Sequence, residues 1–316
     1  MARPLDRTEA RDAARQLFSN RATPMQVGAF LLLLRFRGET AAEIAGLIEG
    51  AQETFKDNIP KCRPDIDWSS YADRHKQQPW FVLAALLLAM NGLKVLMHGV
   101  EGALEGYAPT RPFLKALGIP ISNTLQQAAK SINQTGFAYI GTESFCPVVE
   151  SLCDIRQSLG VRTVINTLAR GLNPLGAPHQ LIGVAHPPYM PVHADVAKIL
   201  GQPYCTIIKG GGGEAQRNPL KPCRVTTVNG SIIGEEVWPA LNPEKGINWR
   251  NEILNPELAK SLWLGDYLDQ RAESAIIATT AIALKQTQKA CSTSDADQMA
   301  ASMWNSRSSL ENFSVP

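Results

Sequence analysis

The sequence predicts an α/β protein in which a small helical domain precedes a larger α/β domain with a mostly parallel central sheet. Three observations carry this prediction: helical patterns over residues 1–60, four short buried strands after them, and helical patterns between those strands. Strands that alternate with helices are typical of a parallel α/β sheet. With 316 residues, 44% of them hydrophobic, the chain is long enough for about two domains and a sizeable core.

Capping residues and apolar spacing define the N-terminal helices. An early helix is expected to carry Pro4 in its first turn. Thr23 is the candidate N-cap of the next helix, with Pro24 at the first helical position and Gly38 at the end. The segment 39–55 then places its apolar side chains on one stripe, as a third helix packed against the other two would.

Short apolar runs predict the strands of the second domain. The predicted strands are 94–99, 137–141, 179–185 and 205–210. The helical patterns among them are 79–91, 111–117, 122–131 and 189–200, and a further helix covers 269–286. Ligands usually bind beyond the carboxyl ends of parallel strands, so the ends of these strands mark the expected site.

Composition narrows the class of protein. Nothing in the N-terminus resembles a signal peptide, and the longest apolar runs are shorter than the roughly 18 residues that span a bilayer. We therefore expect a cytoplasmic protein without a membrane partner. The six cysteines show neither paired nor metal-ligand spacing, so free, structural thiols are expected. The net charge of +2 is uninformative, but its distribution is uneven.

The stretch TIIKGGGGEAQRNPLKP, residues 206–222, combines a strand end with four glycines and several basic residues. Such loops can cradle phosphates because bare N–H groups approach an anion closely. The candidate phosphate-binding residues here are Lys209, Gly211, Gly212, Arg217, Lys221 and Arg224. The segment lacks the Lys-Ser/Thr of a Walker A loop, and its alternative interpretation is a flexible loop over a cleft.

Two other segments carry basic residues in suggestive patterns. Arg74 and Lys76 lie between Tyr71 and Trp80, and basic residues interleaved with aromatic ones suit single-stranded nucleic acid. The alternative is an ordinary surface loop that precedes a helix with Trp80 in the core. A third segment, 7–15, places three arginines on one helix face. That stripe either tracks a phosphate backbone or is a solvated face neutralised by acidic neighbours.

Three segments carry a resemblance to a known family. These are LGVRTVINTLARGLNPLGAPHQLIGVAHP (159–187), NGLKVLMHG (91–99) and GETAAEIAGLIEGA (38–51). They resemble anthranilate phosphoribosyltransferases, which are glycosyltransferases with a nucleoside-phosphorylase-type fold, and the resemblance runs in chain order over roughly residues 5–310. The resemblance implies a helical domain of residues 1–64 plus about 147–175, and an α/β domain of 65–146 plus about 176–316. It also implies a homodimer joined through the helical parts.

The segments that carry the family's phosphate chemistry depart from its pattern. The Gly-Thr-Gly-Gly-Asp loop that wraps a pyrophosphate is matched by 65–80, which contains no glycine. The Lys-His-Gly-Asn motif is matched by Met97 to Val100, so both its lysine and its asparagine are lost. Of the paired Asp-Glu that holds magnesium, Glu214 remains, and Gly213 stands where the Asp would be. We expect that one carboxylate makes at most half of a magnesium site.

The resemblance also assigns roles to residues that are retained. Arg162 matches the arginine that contacts the carboxylate of the aromatic acid in the family, and it could equally serve a phosphate. Arg170 is expected on the same helical face, with Asn166 between them. His98 is expected at a strand end that lines the same cleft. Arg162, Arg170 and His98 therefore count as candidate phosphate-binding residues.

Altered phosphate and metal segments on a retained scaffold resemble the divergent YbiB-type branch of the family. That branch binds single-stranded nucleic acid without sequence preference. The sequence therefore favours a binding protein for single-stranded DNA or RNA, with no cofactor, over a working enzyme. The alternative is a phosphoribosyltransferase that acts on an aromatic or nitrogenous acceptor, with magnesium at Glu214. A phosphorylated small ligand in the cleft is a third interpretation.

Overall fold

A computed structural model describes residues 3–19, 21–71, 77–100, 110–243, 252 and 254–313. Its helices are α1 (Arg7–Phe18), α2 (Pro24–Arg37), α3 (Ala41–Gln52), α4 (Trp80–Met90), α5 (Thr110–Ala116), α6 (Leu125–Thr135), α7 (Thr142–Phe145), α8 (Pro147–Asp154), α9 (Arg156–Leu159), α10 (Ile165–Leu168), α11 (Tyr189–Ile199), α12 (Glu257–Leu264), α13 (Gln270–Gln286) and α14 (Thr293–Asn305). Its strands are β1 (Ile66–Ser70), β2 (Val95–Gly99), β3 (Ile121–Ser122), β4 (Phe137–Gly141), β5 (His179–Val184), β6 (Tyr204–Lys209), β7 (Cys223–Asn229) and β8 (Ile232–Trp238).

The helix boundaries follow the capping residues. Thr23 caps α2, and its side chain accepts a hydrogen bond from the backbone of Gln26, as the sequence predicts. Gly38 ends the helix with a φ of 87°, a conformation that favours glycine. The first helix differs from its prediction, because Asp6 is the N-cap of α1 and Pro4 lies before the helix. The Asp6 carboxylate satisfies an otherwise unpaired N–H group, which fixes the start there.

The described strands form one eight-stranded sheet in the order β3-β4-β2-β1-β5-β6-β7-β8. The pairs from β3 to β6 are parallel, whereas β7 and β8 form an antiparallel hairpin at one edge. The four strands predicted from the sequence are all confirmed.

The central strand β1 was not predicted, because its segment was interpreted as part of a replaced substrate loop. That interpretation is wrong for residues 66–70. Asp67 and Ser69 give the segment a polar sequence, but Trp68 and both polar side chains are buried in the sheet.

Helices cover both faces of the sheet. Helices α4 and α13 pack together on one face, with α14 against α13. Helices α6 and α11 cover the opposite face, where α11 also packs against α3 of the N-terminal helices. The turn Ala169–Gly171 follows α10 and brings the backbone of Gly171 close to Ile48 in α3. A cleft therefore forms where the helical units approach the carboxyl ends of the parallel strands. Within the described ranges, no helix has the length and apolarity to cross a membrane.

Candidate functional site

A cavity of about 100 Å³ opens at the carboxyl end of β5, between the helical segments and α11. Its polar and charged lining includes Arg35, Arg162, Asn166, Arg170, His186 and His193. The carboxyl edge of a parallel sheet is where α/β proteins usually bind ligands. The structure thus brings the predicted pair Arg162 and Arg170 into one cavity. They do not share a helix face, however, because Arg162 precedes α10 and Arg170 follows it.

The cations of this cavity repel one another. The pKa of Arg170 is lowered to about 10, first by burial, which the charge of Glu214 opposes and the charge of Arg162 reinforces. Burial and the Arg162 charge also lower the pKa of Arg156. Burial, with the Arg170 charge, lowers the pKa of His193 to about 3, so that side chain is neutral at physiological pH. Like charges held together in a partly desolvated cavity favour an anionic ligand.

Two arginines are held in the cavity by the surrounding elements. Arg170 Nε donates to the carbonyl of Gly183 over 3.2 Å, and its Nη1 also contacts the carbonyl of Asn166. Arg35, from the last turn of α2, contacts the hydroxyl of Tyr189 at the start of α11. Its guanidinium lies 5.5 Å from the centre of that ring. This pair joins the helical unit to the sheet domain across the cavity and presents a half-exposed aromatic side chain there.

The glycine run does not form the open anion cradle that the sequence suggested. The N–H groups of Gly210 and Gly211 donate to the carbonyls of Val184 and Gln216 over 3.2 and 3.1 Å. The N–H of Glu214 donates back to Gly211 over 3.1 Å, so the loop closes on itself. These N–H groups are therefore unavailable to a phosphate. The role predicted for Gly211 is corrected accordingly, while Gly212 is exposed at the tip of the turn.

Arg217 is a structural residue, which corrects its predicted role as a phosphate contact. Its side chain is fully buried. Nη1 pairs with Asp297 at 2.8 Å, and Nη2 donates to the carbonyl of Pro239 at 2.7 Å. The guanidinium also lies 4.8 Å from the centre of the Trp238 ring. Sequence could not show this burial, because the partners come from distant segments.

The remaining basic residues of this segment lie at the end of β6 and the start of β7. Lys209 is opposite Val184 in the sheet, and Val184 lines the cavity. The ammonium of Lys209 contacts the carbonyl of Gly210 at 3.0 Å. Lys221 and Arg224 are exposed farther along. Lys209, Lys221 and Arg224 thus place basic side chains at the end of β6, in the β6–β7 connection and in β7, and their contact with phosphate stays a prediction.

His98 does not line the cleft, which corrects a second prediction. It is completely buried, with Nδ1 at 2.8 Å from the hydroxyl of Tyr71 and Nε2 at 3.3 Å from Asp67. The Tyr71 hydroxyl also contacts Thr142 at 2.8 Å. Tyr71, the residue that directly follows β1, therefore has a buried side chain. In the resemblance, the family's glycine loop is matched by residues 65–80, and the buried Tyr71 lies within that segment.

Glu214 does not have the surroundings of a magnesium ligand. Its side chain is buried, and its charge acts on Arg170 and Tyr139. In the parts of the chain that the structure describes, no group of three His, Cys, Asp or Glu side chains could hold a metal ion. An arginine as the neighbour of a buried carboxylate favours an internal charge balance over a cation site. The described surroundings of Glu214 therefore do not fit magnesium.

Two further predictions concern basic segments outside the cavity. Arg74 and Lys76 lie outside the described residues. The stripe of arginines on α1 pairs with carboxylates of α3 and its C-cap: Arg7 with Glu49, and both Arg11 and Arg15 with Glu53. This neutralisation favours the alternative of a solvated face, although the partners come from α3 and not only from α1.

Three residues of the site, Arg35, Tyr189 and His193, were not predicted from the sequence. Arg35 is unremarkable at the end of an apolar helix. A signal was present for Tyr189, which follows the predicted strand closely and begins the next helix. Only the packing of α2 and α11 around the end of β5 brings Arg35, Tyr189 and His193 together.

The fold and cleft define a two-domain class in which a helical bundle meets the carboxyl edge of an α/β sheet. The sequence pattern of the glycosyl transferase family a/b domain matches residues 82–306, and that of the family's helical bundle domain matches residues 2–54. The chain belongs to this glycosyl transferase family.

Within this family, the chain is similar to anthranilate phosphoribosyltransferases. An anthranilate phosphoribosyltransferase of Anaeromyxobacter sp. (strain Fw109-5) is 31% identical over 213 residues, covering 66% of this chain and 62% of that relative. Another, of Bradyrhizobium sp., is 30% identical over 75% of this chain and 70% of its own length. The crystal structure of the Thermus thermophilus enzyme superposes with a TM-score of 0.82 at 25% identity, over 96% of this chain and 92% of that one. The chain thus has the phosphoribosyltransferase fold, and the relatives' names favour the enzymatic alternative.

Proposed function

We propose that the protein binds single-stranded nucleic acid through the cationic cavity at the carboxyl end of β5. The observation that carries the proposal is the convergence of Arg35, Arg162 and Arg170 on one cavity, where the charge of Arg162 also helps to lower the pKa of Arg170. Phosphate groups relieve that repulsion, and exposed cations along the β6–β7 connection extend the surface for a longer backbone. Tyr189 offers an aromatic face at the same cavity, on which a base can stack.

The residues that stand where the family has its pyrophosphate-binding and metal-binding groups favour a binding protein over an enzyme. Transfer from phosphoribosyl pyrophosphate requires groups that wrap a pyrophosphate and hold a metal ion. In their place, this chain has a buried Tyr71 after β1, a buried His98 and a Glu214 whose charge acts on Arg170. In contrast, Arg162, which matches the arginine that contacts the aromatic acid in the family, is retained and lines the cavity together with Asn166.

Fluorescence anisotropy of a labelled single-stranded oligonucleotide, repeated across a salt series, tests the proposal. With about four phosphate contacts, affinity should fall roughly fifty-fold between about 50 and 200 mM salt, because bound phosphates release counterions. Different base compositions should give similar affinities. An affinity that hardly changes with salt would contradict the proposal.

Variants locate the binding surface. Arg162→Gln should reduce affinity by about tenfold and lower the salt dependence by about one phosphate contact. Lys260→Gln is the matched control, because Lys260 is an exposed cation on α12, which packs with α4 and α5 on the other face of the sheet. Equal losses from both variants would indicate a diffuse charge effect instead of a site.

The second candidate function is phosphoribosyl transfer to an aromatic or nitrogenous acceptor. The named relatives favour it, and Arg162 stands where the family's carboxylate-binding arginine is expected. Its test is magnesium-dependent consumption of phosphoribosyl pyrophosphate in the presence of anthranilate, followed by pyrophosphate release. Turnover would establish the enzyme. Displacement of the oligonucleotide by phosphoribosyl pyrophosphate without turnover would instead identify a phosphorylated small ligand in the same cavity.

We also propose that the protein forms a homodimer through one face of α2. Met25, Leu33 and Phe36 on this helix are 84%, 68% and 95% exposed, and Leu32 lies beside them. Their spacing puts them on one side of the helix, as a self-complementary contact between two copies requires. The family resemblance implies a dimer joined through the same helical domain.

A further inference from the structure

The cationic cavity at the carboxyl end of β5 is closed at one end and open at the other. Arg170 and His193, which form its floor, are only 7% and 5% exposed. At its rim stand the exposed His186 and the half-buried Arg162 and Tyr189. A strand that passed through the cavity would need an exit as well as an entrance. The shape therefore admits the end of a strand more readily than its middle.

The volume of the cavity, about 100 Å³, suits a group of the size of phosphate. A protein cavity of about 150 Å³ holds one benzene ring. A phosphate group is slightly smaller than benzene, whereas a whole nucleotide is several times larger. The cavity can therefore take a phosphate, while the sugar and base that carry it remain at the rim.

Guanidinium groups supply the charge of the cavity. Arg35, Arg162 and Arg170 line it, and none of its described lining residues is acidic. Nη2 of Arg170 makes no hydrogen bond within the described residues and is not among their fully buried, unpaired atoms, so it retains surface for a ligand. Neighbouring carboxylates offset part of this charge, because Glu39 lies 3.6 Å from Nη1 of Arg35 and the charge of Glu214 acts on Arg170.

The charge of a phosphate depends on its place in the strand. A phosphate monoester at a strand end carries about −1.5 to −2 charges at pH 7, whereas each internal diester carries a single one. Hydrogen bonds between guanidinium and phosphate groups strengthen with the charge on the oxygens. The cluster of arginines thus favours a terminal monoester over an internal diester.

We propose that this cavity holds the terminal phosphate monoester of a single-stranded nucleic acid, so that the protein prefers strand ends to internal segments. The inference rests on the proposed function and names the part of the strand that occupies the site. The monoester contacts Arg162 and Arg170, and the terminal base meets Tyr189 at the rim. The following phosphates lie over the exposed cations of the β6–β7 connection.

Competition against an internally labelled single-stranded oligonucleotide, followed by fluorescence anisotropy on the full chain, tests the proposal. The competitors share one sequence and carry a 5′-phosphate, a 3′-phosphate or hydroxyl groups at both ends, and a further one is circular. A terminal phosphate should raise the affinity by about tenfold, and the better of the two phosphorylated strands shows which end enters. The circle should bind no better than the strand with hydroxyl ends. Ribose 5-phosphate, a monoester without a strand, should compete only at concentrations about a hundredfold higher.

The competitors separate the failure of this inference from that of the proposed function. Equal, salt-sensitive affinities for all the oligonucleotides would overturn the preference for ends and leave the proposed function standing. Absence of binding by every oligonucleotide would overturn both. If ribose 5-phosphate competed as well as the phosphorylated strands, the occupant would be a free phosphorylated molecule, and the strand end would be excluded.

Two variants in the cavity and one outside it locate the monoester. Arg162→Gln at the rim and Arg170→Gln on the floor should each reduce the preference for a terminal phosphate by about tenfold. Circular dichroism checks folding, because Arg170 also donates to the carbonyl of Gly183, and Arg162→Gln carries the test if Arg170→Gln does not fold. Lys221→Gln, at an exposed position outside the cavity, should change the affinities for phosphorylated and hydroxyl-ended strands by the same factor. An unchanged preference in the cavity variants would show that the monoester binds elsewhere.

Discussion

Arg217 and Arg162 both belong to segments that the sequence marks as basic, yet their surroundings give them different roles. Arg217 is fully buried and is held by Asp297, two backbone carbonyls and the face of Trp238. Arg162 is half-exposed in the cavity, close enough to Arg156 and Arg170 to lower the pKa of each. A phosphate can reach the second arginine and not the first.

Replacing Arg217 should therefore damage stability. Arg217→Met leaves the carboxylate of Asp297 and the carbonyl of Pro239 without their donor, so the free energy of unfolding should fall by about 3 to 5 kcal/mol. Urea denaturation measures the change. Lys221→Met, in the same segment but exposed, should change stability by no more than about 0.5 kcal/mol. An Arg217 variant with normal stability and lost oligonucleotide affinity would show that the buried interpretation is wrong.

His193 should make stability depend on pH. Its pKa is lowered from 6.5 to about 3, first by burial and then by the charge of Arg170. Between these values the unfolded chain binds a proton that the native chain does not, so stability decreases as the pH falls. From about pH 7 to pH 5, the stability advantage of the parent over His193→Gln should shrink by roughly 2 kcal/mol. Parallel pH profiles in urea denaturation would contradict this assignment.

At the scale of elements, glycines set how closely α1 and α3 pack. A Cβ atom at Gly46 would lie 2.2 Å from the carbonyl oxygen of Arg7, and one at Gly50 would lie 2.4 Å from the Cβ of Ala14. Both distances are far shorter than any real contact, so the helices touch through their backbones. The ion pairs between the arginines of α1 and the glutamates of α3 and its C-cap flank this contact.

Two glycine-to-alanine substitutions should consequently have opposite effects. Gly46→Ala must push α1 away from α3 and should lower the free energy of unfolding by about 1 to 3 kcal/mol. Gly28→Ala lies in the interior of α2, where the new methyl group meets Leu159 at an ordinary 3.7 Å. That variant should gain about 0.5 to 1 kcal/mol, because alanine restricts the unfolded chain. Urea midpoints that move in the same direction for both would refute the packing argument.

At the scale of the whole molecule, a few side chains join the helical units to the sheet domain. Arg35 on α2 contacts Tyr189 on α11, and Arg7 on α1 donates to the carbonyl of Ile199 over 3.2 Å. Helix α11 thus contacts the N-terminal helices and the sheet at the same time. The cavity lies beside this joint, so its shape depends on how the two units are held together.

The proposed dimer predicts a change in mass that depends on α2. Leu33→Asp combined with Phe36→Asp places two charges on the exposed apolar face, and should convert a dimer into a monomer because buried, unpaired charges are costly. Analytical ultracentrifugation measures the mass. Leu268→Asp is the control, since Leu268 is 79% exposed in the segment between α12 and α13. If the parent chain is already a monomer, or if the control also dissociates, α2 is not the interface.

Local chemistry let the sequence determine much of the fold. The capping group of Thr23, the turn at Gly38 and the apolar runs at β2, β4, β5 and β6 act within a few residues, so they can be seen without tertiary structure. The resemblance in 159–187 likewise identified Arg162 and Arg170 before their surroundings were known.

Tertiary structure alone decided which polar residues are buried. Strand β1 escaped prediction because Oδ2 of its polar Asp67 is hydrogen-bonded to His98 and Gln180 from neighbouring strands, which the segment's own sequence does not reveal. The glycine loop lost its role as a cradle because its N–H groups pair with backbone carbonyls. The cost of burying a polar group depends on partners supplied by distant parts of the chain. For that reason sequence could name the charged residues here, but only packing could separate those that hold the fold from those that meet a ligand.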